Sequence, residues 1–172
     1  MKVLIIGNGT QGIKRSKILN KKNYFGSLDI NNSGDYKHIN EVPLNKFDTC
    51  FICTPDSQKK KFINFCLSNN KNVLVEKPLV GFNQNEIKNL QTKFNRKNLI
   101  LYTAYNHRFE PHIKRIKKLI NNNYLGKLYS CKIFYGNGTA MNVKLSSWRD
   151  RGTGVLNDLA PHLIDLIYQR FD

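Results

Sequence analysis

The feature that most constrains this chain is the passage from Val3-Leu4-Ile5-Ile6 directly into Gly7-Asn8-Gly9-Thr10-Gln11-Gly12. Four apolar residues running into a glycine read as a parallel strand buried on both faces. Ile13, Ile18 and Leu19 among Lys14, Arg15 and Lys17 then read as a helix. Strand, Gly-x-Gly-x-x-Gly turn and helix N-terminus in this order suit a dinucleotide. Gly7 makes the tight turn, Gly9 lets the backbone approach a pyrophosphate, and Gly12 lets helix and strand pack closely. The helix start adds free N–H groups and a partial positive charge. Gly7, Asn8, Gly9, Thr10, Gln11 and Gly12 are therefore candidate cofactor contacts.

The rest of the chain repeats the rhythm. Strands are expected at Val3–Ile6, Ser27–Ile30, Thr49–Cys53, Val73–Val75 and Leu99–Thr103, and helices near Gln11–Lys21, Ser57–Asn69 and Asn83–Asn95. Alternating β and α segments imply an α/β fold with a doubly wound parallel sheet. Residues 29–48 are polar and irregular, so a crossover helix is shortened there. After Thr103 the pattern changes. Arg108–Asn123 reads as a helix with Ile113, Ile116, Leu119 and Ile120 on one face, closed by three asparagines. Leu128–Tyr135 reads as a strand with Tyr129, Cys131, Ile133 and Tyr135 on one side. A last helix begins near Gly154 and carries Leu156, Leu159, Leu163, Leu166 and Ile167. Residues 1–104 are thus expected to form a nucleotide-binding Rossmann domain, and residues 105–172 the start of an α+β substrate domain.

The formal net charge of +16 in 172 residues raises the question of nucleic acid. The lysines run from residue 2 to 144, and only Lys59-Lys60-Lys61 is a tight run. No helix-turn-helix, zinc finger or aromatic RNA-binding signature accompanies them, so an abundance of Lys and Asn throughout is the preferred explanation. The charge would still attract anionic cofactors and substrates. Cys50 and Cys53 have redox or zinc spacing, but residues three apart on a strand face opposite ways, and no second close ligand pair completes a metal site. Cys50, Cys53, Cys66 and Cys131 are expected as buried free thiols. No apolar run approaches the roughly 18 residues of a membrane helix, and the N-terminal run is too short for a signal peptide, so the cytoplasm is the expected location.

Several residues could carry chemistry. Asp29 lies 22 positions after Gly7, at the end of the second strand. A carboxylate there can accept both hydroxyls of an adenine ribose and would repel a 2′-phosphate, which favours NAD, with NADP possible. Cys53-Thr54-Pro55-Asp56 and Glu76-Lys77-Pro78 sit at strand C-termini, where open α/β sheets bind ligands. Lys77 at that rim could donate to a substrate oxygen. Asp158 and His162 are four apart on the last helix, so they project from one face. The imidazole titrates near neutral pH and suits removal of a hydroxyl proton.

Together these elements resemble the glucose–fructose oxidoreductase/inositol dehydrogenase/MocA family. The resemblance runs through nearly the whole chain. It rests on the glycine turn, Thr54-Pro55-Asp56, Val73-Leu74-Val75-Glu76-Lys77-Pro78-Leu79, Tyr105-Asn106-His107-Arg108-Phe109-Glu110-Pro111 and Gly154-Val155-Leu156-Asn157-Asp158-Leu159-Ala160-Pro161-His162-Leu163-Ile164-Asp165. It implies an NAD(P)-dependent oxidoreductase acting on a sugar, cyclitol or nucleotide sugar. Lys77, Asp158 and His162 would form the catalytic set and also meet the substrate, with Tyr105, Asn106 and Arg108 lining the cleft. Trp148-Arg149 resembles an element that reaches the cofactor, and Thr54, Pro55, Glu76 and Lys77 would join it.

Thr153 and Ala160 replace glycines frequent in the family. Family members are also roughly twice as long, so the chain is expected to be a truncated member, self-associating or completed by another polypeptide. Composition and resemblance together point to a bacterial surface-sugar pathway. A second reading is a nucleotide-binding remnant without turnover, and a third is a basic nucleic-acid-binding protein, which steep salt dependence would reveal.

Overall fold

The computed structural model describes residues 1–31, 33–79, 81–136, 138, 141, 145 and 155–171. The chain divides into two units, Met1–Ala104 and Tyr105–Asp172.

In the first unit, strands β1 (Val3–Ile6), β2 (Tyr24–Leu28), β3 (Thr49–Ile52), β4 (Asn72–Val75) and β5 (Leu101–Thr103) alternate with helices α1 (Thr10–Ile18), α2 (Asp56–Ser68) and α3 (Gln84–Arg96). All pairings are parallel, and the sheet order is β2-β1-β3-β4-β5. The chain therefore winds outward in one direction from β1 and in the other from β3. Right-handed crossovers then place α1 on one face and α2 and α3 on the opposite one. Side chains agree with this. A Cβ on Gly12 of α1 would lie 3.2 Å from Ile5 Cγ2, whereas Leu4, Ile6, Ile52, Val73 and Val75 share a core with Ile63 and Cys66 of α2 and Leu90 and Phe94 of α3. With apolar cover on both faces, β1 is buried at all four positions.

β3 and β4 each differ from expectation by one residue at one end, and β2 and β5 move further. β2 runs from Tyr24 to Leu28 rather than from Ser27 to Ile30, and Ile30 lies outside, exposed. Gly26 interrupts the apolar pattern without breaking the strand, and its missing side chain leaves room for the Tyr36 ring, 3.2 Å from where a Cβ would be. β5 begins at Leu101, not Leu99. Among the described residues between β2 and β3 there is no α-helix. Two 3-10 turns, Ile39–Glu41 and Leu44–Lys46, span the gap, while Val42 and Phe47 anchor the segment in the core.

The second unit is thinner. Pro111 splits the helix expected over Arg108–Asn123, because it lacks an N–H and disfavours helical backbone in the residue before it. A 3-10 turn, Asn106–Phe109, precedes α4 (Pro111–Asn121). The asparagine run ends α4 as expected, with Asn123 at φ +57°. The apolar stripe of α4 is only partly covered: Ile113, Leu119 and Ile120 are half-buried, Ile116 is exposed, and no α4 residue is fully buried. The strand expected over Leu128–Tyr135 does not form. Alternation assigns faces, but a strand needs a hydrogen-bonding neighbour, and none pairs with it among the described residues. Cys131, expected buried, is exposed there. The last helix, α5, spans Val155–Phe171. No helix among the described residues is long and apolar enough to cross a membrane.

Candidate active site

In the first unit the site grows out of strand register. Leu28, Ile6, Ile52, Val75 and Thr103 are aligned across the sheet. The residues that follow continue the ladder for one further step: Gly7 N–H donates to Leu28, Cys53 N–H to Ile6, Glu76 N–H to Ile52 and Ala104 N–H to Val75. Gly7, Asp29, Cys53 and Glu76 therefore reach the C-terminal rim at one level. The winding reverses between β1 and β3, and the crevice outside such a reversal is where open α/β sheets bind ligands.

The three glycines are not interchangeable. Gly7 has φ +92°, and a Cβ there would lie 2.9 Å from the Cys53 carbonyl. A Cβ on Gly12 would sit 2.0 Å from the Gly7 carbonyl oxygen. Both are required for the turn to close. A Cβ on Gly9 would meet nothing within 4 Å, so packing against the protein does not require a glycine there. Gly9 also caps α1, and no side chain caps that terminus. The first-turn N–H groups of Thr10, Gln11 and Gly12 thus remain open to an anion.

Asp29 stands immediately after β2 with both carboxylate oxygens engaged by backbone. Oδ2 accepts the Asn8 N–H at 2.7 Å and Oδ1 the Asn31 N–H at 2.8 Å. These bonds hold the carboxylate against the glycine turn and leave lone pairs for further donors. The Asn8 side-chain amide donates to the Ser33 carbonyl. On the β3 side, Thr54 Oγ1 is buried with no hydrogen-bond partner among the described residues. A buried hydroxyl is normally satisfied, so a polar ligand group at this rim fits the vacancy in its bonding. Pro55 precedes α2, which Asp56 begins. Burial, with Glu76 nearby, pushes the Cys53 thiol up to about 12, so Cys53 is not a thiolate nucleophile at neutral pH. Cys50 and Cys66 are buried thiols.

Lys77 follows Glu76 at the end of β4, and the Lys77–Pro78 peptide is cis. Glu76 accepts from Arg15 Nε at 2.7 Å. The following carbonyl, that of Pro78, accepts from Lys59 Nζ at 2.7 Å.

The second unit assembles its own cluster. His162 of α5 is 7 % exposed. Its ring meets His107 edge to face at 4.5 Å between centroids and lies within ring contact of Tyr105 and Tyr135. His107 Nδ1 pairs with Glu110, and Nε2 lies 3.0 Å from the Tyr135 hydroxyl. Arg108 makes a two-point ion pair with Asp165 of α5 and lies over the Tyr105 ring. Burial, aided by the Asp165 charge, raises the Tyr105 phenol. Asp158 is half-buried one turn before His162. Asn106 is exposed. Trp148 and Arg149 lie outside the described residues. Among the described residues no His, Cys, Asp and Glu group could hold a metal ion.

Lys59, His107, Glu110 and Tyr135 had no assigned role in the sequence. Lys59 was legible only as part of a charged run, although Lys59, Ile63 and Cys66 recur at i, i+4 and i+7, the spacing of one helix face. Nothing in the spacing of His107 and Tyr135 signals that they meet.

Comparison with known proteins identifies the family and the fold. The family model described as an oxidoreductase family with an NAD-binding Rossmann fold matches residues 10–105, and the GFO/IDH/MocA C-terminal domain matches residues 113–172. Glucose-6-phosphate 3-dehydrogenase of Bacillus subtilis is 26 % identical over 90 % of this chain and 45 % of its own length. Trans-1,2-dihydrobenzene-1,2-diol dehydrogenase of Mus musculus is 25 % identical over 80 % of this chain and 40 % of its own. The chain spans about half the length of the curated relatives it matches. The fold also matches myo-inositol 2-dehydrogenase from Lactobacillus plantarum, with a TM-score of 0.72, 20 % identity and coverage of 98 % of this chain and 56 % of that one. An NAD-binding protein from Listeria innocua gives a TM-score of 0.69 at 20 % identity, covering 99 % and 55 %. The glycine turn, the parallel sheet and the two matched regions together place this chain in the GFO/IDH/MocA family of oxidoreductases, whose usual cofactor is NAD(P).

Proposed function

We propose that the protein is an NAD(P)-dependent oxidoreductase acting at a hydroxyl or keto carbon of a sugar, cyclitol or nucleotide sugar. The observation that carries this reading is the division of labour among the glycines: Gly7 and Gly12 close the turn, while Gly9 faces open space beside an uncapped helix start. The residues fit a dinucleotide. The turn from Gly7 to Gly12 would hold its diphosphate, Asp29 its adenine ribose, and Thr54 and Pro55, with Glu76 and Lys77, would lie toward its nicotinamide end. When bound, the nicotinamide supplies or accepts the hydride.

The chain's own groups handle everything else. Lys77 donates a hydrogen bond to the substrate oxygen and stabilises charge that develops there. His162 takes the hydroxyl proton in the oxidative direction and returns it in the reverse. Asp158, on the same face of α5, positions the imidazole. Burial of His162 excludes water from the proton it moves. An Asp at position 29 favours NAD over NADP.

Lys77→Ala and His162→Ala are each expected to lower turnover by about 100-fold or more, with NADH affinity changed less than about threefold because neither residue belongs to the glycine turn. The screen uses glucose 6-phosphate, free hexoses, inositols and nucleotide sugars. Unchanged turnover in both variants would overturn the assignment.

A further inference from the structure

Lys59 takes no part in the chemistry above, yet it is 1 % exposed. A buried ammonium is unfavourable unless it is paired and hydrogen-bonded, so its partners indicate what it is for. Helix register puts it inside: Lys59, Ile63 and Cys66 line the inner face of α2, and the latter two are fully buried. Nζ pairs with Asp56 Oδ1 at 2.7 Å, within the first turn of the same helix. Its other bond leaves the helix and reaches the Pro78 carbonyl, also at 2.7 Å. Burial lowers the proton affinity of Lys59, and Asp56 opposes that by hydrogen bond and charge. On the near side of the same turn, Arg15 of α1 grips Glu76 at 2.6 Å. The residues before and after Lys77 are thus each tied to a cation from a different helix.

We propose that Lys59 is a positioning residue for Lys77, holding the turn after β4 through the Pro78 carbonyl so that the Lys77 side chain leaves the sheet rim in one fixed direction. The inference rests on Lys77 meeting the substrate. A methionine would fill the same space but donate nothing. The Lys77–Pro78 turn would then lose its tie to α2, and a small misplacement of a reacting group far exceeds its packing cost in lost rate.

The test compares the full chain with Lys59→Met and with Lys59→Gln, which keeps a shorter N–H donor. Three quantities are read: kcat, the NADH dissociation constant, and backbone hydrogen exchange by mass spectrometry. In Lys59→Met, kcat falls by about tenfold or more, NADH affinity stays within about twofold, and exchange over residues 76–82 speeds up while β1 and β3 are unchanged. Lys59→Gln falls between Lys59→Met and wild type in kcat and exchange. Wild-type exchange over 76–82 in Lys59→Met, or equal kcat in all three proteins, would overturn the inference. If Lys59→Met does not fold, Lys59→Met/Asp56→Asn removes both charges and is read in the same way. A wild-type chain without turnover on any screened substrate counts against the proposed function alone, and the exchange pattern then decides the role of Lys59.

Discussion

The two units of this chain hold their candidate site residues by different physics. In the first, position follows from backbone. Parallel register brings Gly7, Asp29, Cys53 and Glu76 to one rim, and a core buried on both sheet faces keeps them there. In the second, no residue of α4 is buried, and the candidate site is held by side chains: the Arg108–Asp165 pair, the His107–Glu110 pair and four aromatic or imidazole rings. A site built on ladders tolerates change at its surface and fails when its backbone geometry is altered. A site built on charge pairs fails when one partner is removed.

The largest effect is expected at the glycine turn, and two neighbouring glycines separate folding from binding. Gly12→Ala forces a Cβ to 2.0 Å from the Gly7 carbonyl oxygen, so the turn must open. NADH binding is expected to disappear and the melting temperature to fall. Gly9→Ala meets no protein atom within 4 Å, so the melting temperature should hold while NADH affinity drops by about tenfold or more. Equal melting temperatures and equal affinities in both variants would remove the distinction on which the comparison depends.

Next in size is the charge pair of the second unit. Asp165 is 8 % exposed, and Arg108→Leu leaves its carboxylate buried without this partner. Breaking such a pair costs on the order of 3 kcal/mol. Hydrogen exchange in α5 should rise while that in β1 and β3 stays at the wild-type level. Uniform change throughout the chain would show that the two units do not differ in this way.

Smaller effects return to the first unit. Asp29→Ala removes the acceptor for the Asn8 and Asn31 N–H groups and the repulsion expected toward a 2′-phosphate. It should weaken NADH binding and reduce the preference over NADPH, read by parallel titrations. An unaltered ratio would dissociate Asp29 from the ribose.

The smallest effect is at Asp35. Burial pushes its carboxyl up, but the Ser27 N–H and the hydroxyls of Tyr24 and Ser27 donate to it and hold it below the ordinary carboxylate value of 3.8. A carboxylate lowered in the folded state stabilises above its unfolded value and loses that contribution as pH falls through the folded one. Asp35→Asn should therefore destabilise at neutral pH by no more than about 1 kcal/mol, since the residue is exposed, and the difference from wild type should vanish in acid. A difference that persists in strong acid would exclude the ionised carboxylate as its source.

How much was legible in the sequence follows the same division. β1, the glycine turn, α1 to α3 and the rim position of Lys77 could be read from local pattern, because buried parallel strands, glycine turns and helix starts each leave a short-range signature. β2 lies earlier than the apolar pattern implies because it runs through Gly26, a position whose lack of a side chain makes sense only beside the Tyr36 ring and the Asp35 carboxylate. In residues 105–172 the faces of α4 and α5 were legible but their burial was not, since burial depends on what lies opposite. The meeting of His107 with Tyr135, 28 positions apart, and of Arg108 with Asp165, 57 apart, is a property of the fold alone. Lys59 shows the intermediate case: its helical register was present in the sequence, but its three-lysine setting concealed it.

The most direct measurement is a titration of the wild-type chain with NADH, followed by nicotinamide fluorescence, with NADPH in parallel under the same salt. Saturable binding with the tighter constant for NADH is the expected result. A folded chain that binds neither nucleotide, or that binds NADPH more tightly, would contradict the roles given to the glycine turn and to Asp29.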